Sequence, residues 1–128
     1  MPDVSPAEIQ PKRVSGPEDF TAFLGLADLW NLSTDHQITL LGSPARSTYF
    51  KWKKDGGAMS SDTEERVSHL MAIYKALQIL FPDAKRADAW PSHPSRSFEG
   101  RSALEVMLGG KLEDIIRVRE YLDAQRGG

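Results

Sequence analysis

From Phe20 onward, apolar residues return every three or four positions, and glycines, prolines and capping residues cut that pattern into short lengths. Such a period suits helices, and no stretch alternates apolar and polar as a half-buried strand would. The sequence therefore predicts an all-α fold. Phe20, Phe23, Leu24 and Ala27 share one face of a first helix that starts at Glu18, just after Pro17, and ends at Asn31. A second helix spans about residues 34–41, capped by Ser33 or Thr34 and stopped by Gly42. Ser43-Pro44 reads as N-cap and first helical position of a third, which reaches about Lys54 before Gly56-Gly57. The fourth and longest, capped by Ser61 or Asp62, runs to about Phe81 with Val67, Leu70, Met71, Tyr74, Leu77 and Phe81 as its apolar stripe. A short helix then leads to Trp90, and residues 91–96 form an extended linker that two prolines keep out of helix. Ser102 and Glu105 make a capping box for a helix that Gly109-Gly110 ends. A last helix covers about residues 112–126, with Leu112, Ile115, Ile116 and Leu122 inward. Residues 1–17 hold four of the eight prolines and few apolar side chains, the composition of a mobile tail.

Charge narrows the possible functions. A net charge of −2 argues against a nucleic-acid binder, until its distribution is considered. Residues 43–54 contain Arg46, Lys51, Lys53 and Lys54 and no acidic residue, so they carry +4 and leave −6 for the remainder. On a helical projection Ala45, Thr48, Tyr49 and Trp52 fall to one side, as a core stripe, and Arg46, Ser47, Phe50, Lys51 and Lys54 to the other. Helix, Gly-containing turn and basic helix match a helix-turn-helix reader of DNA. Its candidate contacts are Ser43 in the turn, Arg46, Ser47 and Thr48 near base edges, and Lys51 and Lys54 on phosphates. A plain solvated helix face fits the same residues.

Chemistry of the chain's own is not indicated. The 128 residues include no cysteine, which excludes disulfides, thiolate zinc sites and cysteine nucleophiles. Neither phosphate-binding glycine motif occurs, the Ser102 hydroxyl is explained by its capping box, and His93 lies in a loop between prolines. Glu65 and His69 stand at i, i+4 without a third metal ligand nearby. The expectation is no enzyme activity, no metal and no cofactor. With no apolar run of the roughly 18–20 residues of a membrane span and an acidic, Pro-rich N-terminus instead of a signal peptide, a cytoplasmic protein without membrane contact is expected.

Several segments, taken in order, resemble the Xre/MbcA/ParS antitoxins. They are Leu40-Leu41-Gly42 and the run from Ser47 to Lys53, then Leu80-Phe81-Pro82, Trp90-Pro91, and Gly100-Arg101-Ser102-Ala103-Leu104-Glu105. Met107-Leu108-Gly109-Gly110 and the stretch from Val118 to Gly128 complete the series. Departures are Glu99, where many relatives have Gly, Ser95, where Pro-Asn is commoner, and Gln125, which replaces a frequent aromatic. The resemblance implies a bipartite antitoxin. Residues 18–57 would form a helix-turn-helix region that represses the shared operon. Residues 58–128 would bind a RES-domain toxin that consumes NAD or uses it for ADP-ribosylation. The long fourth helix would lie at their junction. Members usually form homodimers, as two-fold operators require. On this reading Arg101, Arg119, Tyr121, Gln125, Arg126, Gly127 and Gly128 carry toxin binding, with the Arg126-Gly127-Gly128 tip entering the toxin's active site. Two glycines after a helix are equally a frayed C-cap. A free-standing helix-turn-helix regulator with a dimerisation domain, or an adaptor without DNA affinity, are the alternative functions.

Overall fold

The computed structural model describes residues 17–56 and 58–127. Within them the chain is all-helical: α1 (Pro17–Leu29), α2 (Thr34–Leu40), α3 (Arg46–Asp55), α4 (Ser61–Leu80), α5 (Ala84–Ala89), α6 (Ala103–Met107) and α7 (Leu112–Gln125). Two 3-10 turns, Trp90–Ser92 and Arg96–Phe98, join α5 to α6. The expected tail over residues 1–17 lies outside the described residues but for Pro17, which is the first residue of α1.

Helix α4 is the spine. Val67, Leu70, Ile73, Ala76 and Leu77 are buried along it, Phe20, Phe23, Leu26 and Ala27 come from α1, and Ile115, Val118 and Leu122 from α7. Because α1 and α7 both pack on α4, no single stripe describes its buried residues. Met71, Tyr74 and Phe81 are only partly buried, and Ile73 and Ala76 take the core positions instead. Removing any of the large wholly buried side chains would cost about 2–5 kcal/mol.

Local backbone chemistry sets the helix ends. After α1, Leu32 N–H donates to Ala27 O (2.9 Å) and Asn31 N–H to Asp28 O (3.1 Å), with Asn31 at φ 57°. After α2, Ser43 N–H donates to Ile38 O (2.9 Å) and Gly42 N–H to Thr39 O (3.1 Å), with Gly42 at φ 97°. Both are Schellman closures, one built on Asn and one on Gly. The second corrects the expected start of the third helix. Ser43, at φ 61°, is used to finish α2, so α3 begins at Arg46 with Ala45 as an N-cap that offers no side-chain bond. Ala45 is accordingly exposed and does not join the core stripe.

Two further boundaries differ from expectation. The cap of α4 is Ser60, whose hydroxyl accepts from Thr63 N–H, and not Ser61 or Asp62. Residues 91–96 are no extended linker. Pro91 is buried in a 3-10 turn, Pro94 bridges to Ser102, and Ser95 exchanges backbone bonds with Gly100 and Arg101. Ser102 and Glu105 form the expected capping box at α6.

The first turns of α4 also grip its neighbours. Thr63 Oγ1 donates to the α2-terminal carbonyl of Leu41 (2.7 Å), which satisfies an orphan helix-end acceptor. Arg66, 8% exposed, holds Asp62 Oδ2 with Nε (3.0 Å) and donates from Nη1 to Gly110 O in the α6–α7 turn (3.0 Å). Gly42 abuts this pair. A Cβ there would meet Asp62 Oδ2 at 2.7 Å and Arg66 Nε at 3.0 Å.

Candidate functional sites

The inner side of α3 is fixed by aromatic packing and one short hydrogen bond. Tyr49 is fully buried, and its ring and that of Trp52 each meet Phe20 edge-on at 5.9 Å. The Tyr49 hydroxyl donates to Gln37 Oε1 (2.6 Å), while Gln37 Nε2 donates to Leu32 O (3.1 Å), tying α3 to α2 and to the α1–α2 turn. Burial pushes the Tyr49 phenol above its ordinary pKa, and the nearby Arg46 charge offsets part of that rise.

With that side locked, the opposite one is set. Arg46, Ser47, Phe50, Lys51, Lys53 and Lys54 are exposed, Thr48 is half-buried, and Ser43 is exposed in the turn ahead. Arg46 is not a free side chain. Its Nη1 donates to Asp35 Oδ1 on α2 (2.8 Å), and its guanidinium carbon lies 5.6 Å from the Phe50 ring centroid. Nothing in local spacing flags Asp35 as its partner, since the two residues lie eleven positions apart on different helices.

The C-terminal candidates do not form one cluster. Arg119 and Arg126 share a face of α7 around Asp123, at 3.7 and 3.8 Å from its carboxylate oxygens. Arg119 also donates from Nη1 to His69 Nδ1 (2.9 Å), and the other ring nitrogen of His69 faces Glu65 at 3.7 Å. A guanidinium has no acceptor, so this contact fixes the imidazole proton on Nε2. The Glu65–His69 pair is thus extended by the Arg119 cation. Tyr121 lies on the other side of α7. It stacks on Trp90 (6.2 Å between centroids, 7° between planes) and meets Phe98 at 5.2 Å, with the Arg117 guanidinium 5.5 Å from Phe98 on the same cluster. Arg101 is exposed in the loop before α6.

Gln125, Arg126 and Gly127 are exposed at the end of α7, and Gly128 lies outside the described residues. Gly127 adopts φ 96° and donates to Ala124 O (3.1 Å), the backbone of a helix stop, and nothing lies within 4 Å of where its Cβ would be. Helix termination therefore accounts for this glycine, and the same turn leaves the tip uncrowded.

Residues 76–128 match the family model of the antitoxin Xre/MbcA/ParS C-terminal toxin-binding domain. The chain belongs to the Xre/MbcA/ParS antitoxins. The match begins inside α4 and takes in α5, α6 and α7, so the Trp90–Phe98–Tyr121 cluster and the α7 arginines all fall within the toxin-binding domain. Over 112 residues the antitoxin is also 58% identical to the uncharacterized protein y4oB of Sinorhizobium fredii (strain NBRC 101917 / NGR234), a match spanning 88% of this chain and 87% of that protein. The antitoxin's partner is accordingly a toxin protein. No helix among the described residues is long and apolar enough to cross a membrane.

Proposed function

We propose that this antitoxin silences a RES-domain toxin that consumes NAD or uses it for ADP-ribosylation, and does so by placing its C-terminal tip in the toxin's active site. The observation that supports this reading is the open end of α7, where Arg126 and Gly127 are exposed past the last helical turn and nothing lies within 4 Å of where a Gly127 Cβ would be. A toxin that binds NAD needs a cleft with polar or cationic groups for the pyrophosphate. The Gly127-Gly128 pair has no bulky side chain and so suits such a cleft. Arg119, held by His69 and Asp123, and the stacked Tyr121 present preordered anchors on either side of α7, in keeping with the weight of Arg and Tyr in interface hot spots. Arg101 and Gln125 complete the proposed contact set.

The test is deletion of residues 126–128, with NAD consumption by the co-expressed neighbouring toxin as readout. Restored NAD loss, with the complex still forming, is expected; undiminished inhibition refutes insertion.

The same antitoxin represses its own operon as a homodimer, reading DNA with α2 and α3. Support comes from the locked inner side of α3 and the exposed basic residues of its outer one, with Ser43, Arg46, Ser47, Thr48, Lys51 and Lys54 as the contacts. Arg46→Glu or Lys51→Glu should abolish operator binding and leave toxin neutralisation intact. Affinity should also fall with salt at a log–log slope of about −0.9 per phosphate neutralised, and a flat response would refute docking on the backbone.

A further inference from the structure

We propose that Arg46 and Phe50 act as one unit that reads a guanine beside a thymine in the major groove, Arg46 through hydrogen bonds to the guanine and Phe50 through the thymine methyl. This rests on the DNA-binding reading of α3 and names what that surface selects. Phe50 is 43% exposed, on the basic side of a helix whose other large aromatics, Tyr49 and Trp52, are buried. It is not a loose surface ring. Its neighbour Tyr49 meets it edge-on at 5.0 Å and 81°, and the Arg46 guanidinium covers it at 5.6 Å. Arg46 is the first residue of α3 and Phe50 follows one helical turn later, so both project from the end of a recognition helix that approaches base edges.

The donor count favours guanine. Arginine has five N–H donors in a planar fork, and among the described residues Nη1 alone is engaged, by Asp35. The remaining donors suit the paired O6 and N7 acceptors that guanine alone presents in the major groove. Phenylalanine can make no hydrogen bond, and the one apolar group on a standard major-groove edge is the thymine C5 methyl. Guanidinium and ring lie 5.6 Å apart, against a rise of about 3.4 Å per base pair, which confines the two contacts to neighbouring pairs. 5-Methylcytosine carries the same methyl and would show itself as binding that requires methylated DNA.

The experiment uses the full-length protein and the duplex upstream of its own reading frame, trimmed to the protected region. Deoxyuridine, which lacks the methyl, replaces each thymine in turn, and 7-deazaguanine, which lacks N7, replaces each guanine. One thymine next to a guanine should lose about fourfold in affinity as uracil, the worth of one buried methyl. Its guanine should lose about tenfold as the deaza base. Phe50→Ala should erase the uracil penalty and Phe50→Leu retain it, and Arg46→Ala should erase the deaza penalty. Sequence-specific binding with no uracil penalty, a penalty that survives Phe50→Ala, or a strict need for cytosine methylation overturns the assignment. Failure to bind the duplex at all would instead remove the DNA-binding reading on which it stands.

Discussion

Arg66→Met should show how firmly α4 joins the two halves of the chain. Methionine keeps most of the buried aliphatic stem, so packing changes little, but both hydrogen-bonding contacts vanish. The Nη1 bond to Gly110 O is charge-assisted and contributes about 1.5–3 kcal/mol. The Asp62 pair adds at most about 1 kcal/mol, because that carboxylate is 55% exposed and solvent screens it. A loss of about 3 kcal/mol follows, equivalent to a fall in Tm of roughly 10 °C for a domain of this size. Thermal and urea unfolding followed by circular dichroism should show one transition, displaced as a whole, since Arg66 touches the α6–α7 turn and lies against Gly42 of the α2–α3 turn. Adding Asp62→Asn to Arg66→Met should then cost less than about 0.5 kcal/mol. A total loss below about 1 kcal/mol, or two transitions of which one moves, would refute the clamp.

Three other substitutions test neighbouring features. Gly42→Ala should cost more than about 1 kcal/mol in urea unfolding, because it forces a side chain into φ 97° and against Asp62 and Arg66. Tyr49→Phe should cost about 1 kcal/mol near neutral pH by orphaning Gln37 Oε1. It should also flatten the alkaline limb of stability. The folded phenol keeps its proton to a higher pH than the unfolded one, so its contribution is complete below pH about 10 and lost as pH climbs through the folded pKa. Ser102→Ala should cost about 1 kcal/mol by removing the hydroxyl that accepts from Glu105 N–H, and a melt unchanged from wild type would contradict that role.

Features written in local spacing were legible in the sequence. Phe20, Phe23 and Ala27 are buried at helical period, Gly42 stops α2, and Ser102 with Glu105 starts α6. What escaped depends on competition between neighbours or on distant partners. Ser43-Pro44 looks like a helix start, yet the closure of α2 claims Ser43 first, and the next helix opens only at Arg46. Residues 91–96 look extended because of their prolines, but Pro94 and Ser95 fold back onto residues 100–102. The candidate sites show the same division. The outward set on α3 follows from periodicity, whereas Asp35 beside Arg46, His69 beside Arg119 and the Trp90–Phe98 nest around Tyr121 require chain folding to bring them together.

The segment shared with the antitoxin family begins at residue 76, three-quarters of the way along α4, while the residues that brace α1 and the α2–α3 turn lie earlier on the same helix. Recombination at that boundary would therefore cut a rod and not a hinge. A new N-terminal half could be inherited with this toxin-binding half only if it brought a helix that continues in phase into Leu77, offering its own equivalents of Thr63 and Arg66 to the turns it must hold. Such a requirement on helical phase would restrict which halves can be exchanged between relatives, and it makes the length of α4 an inherited quantity in its own right.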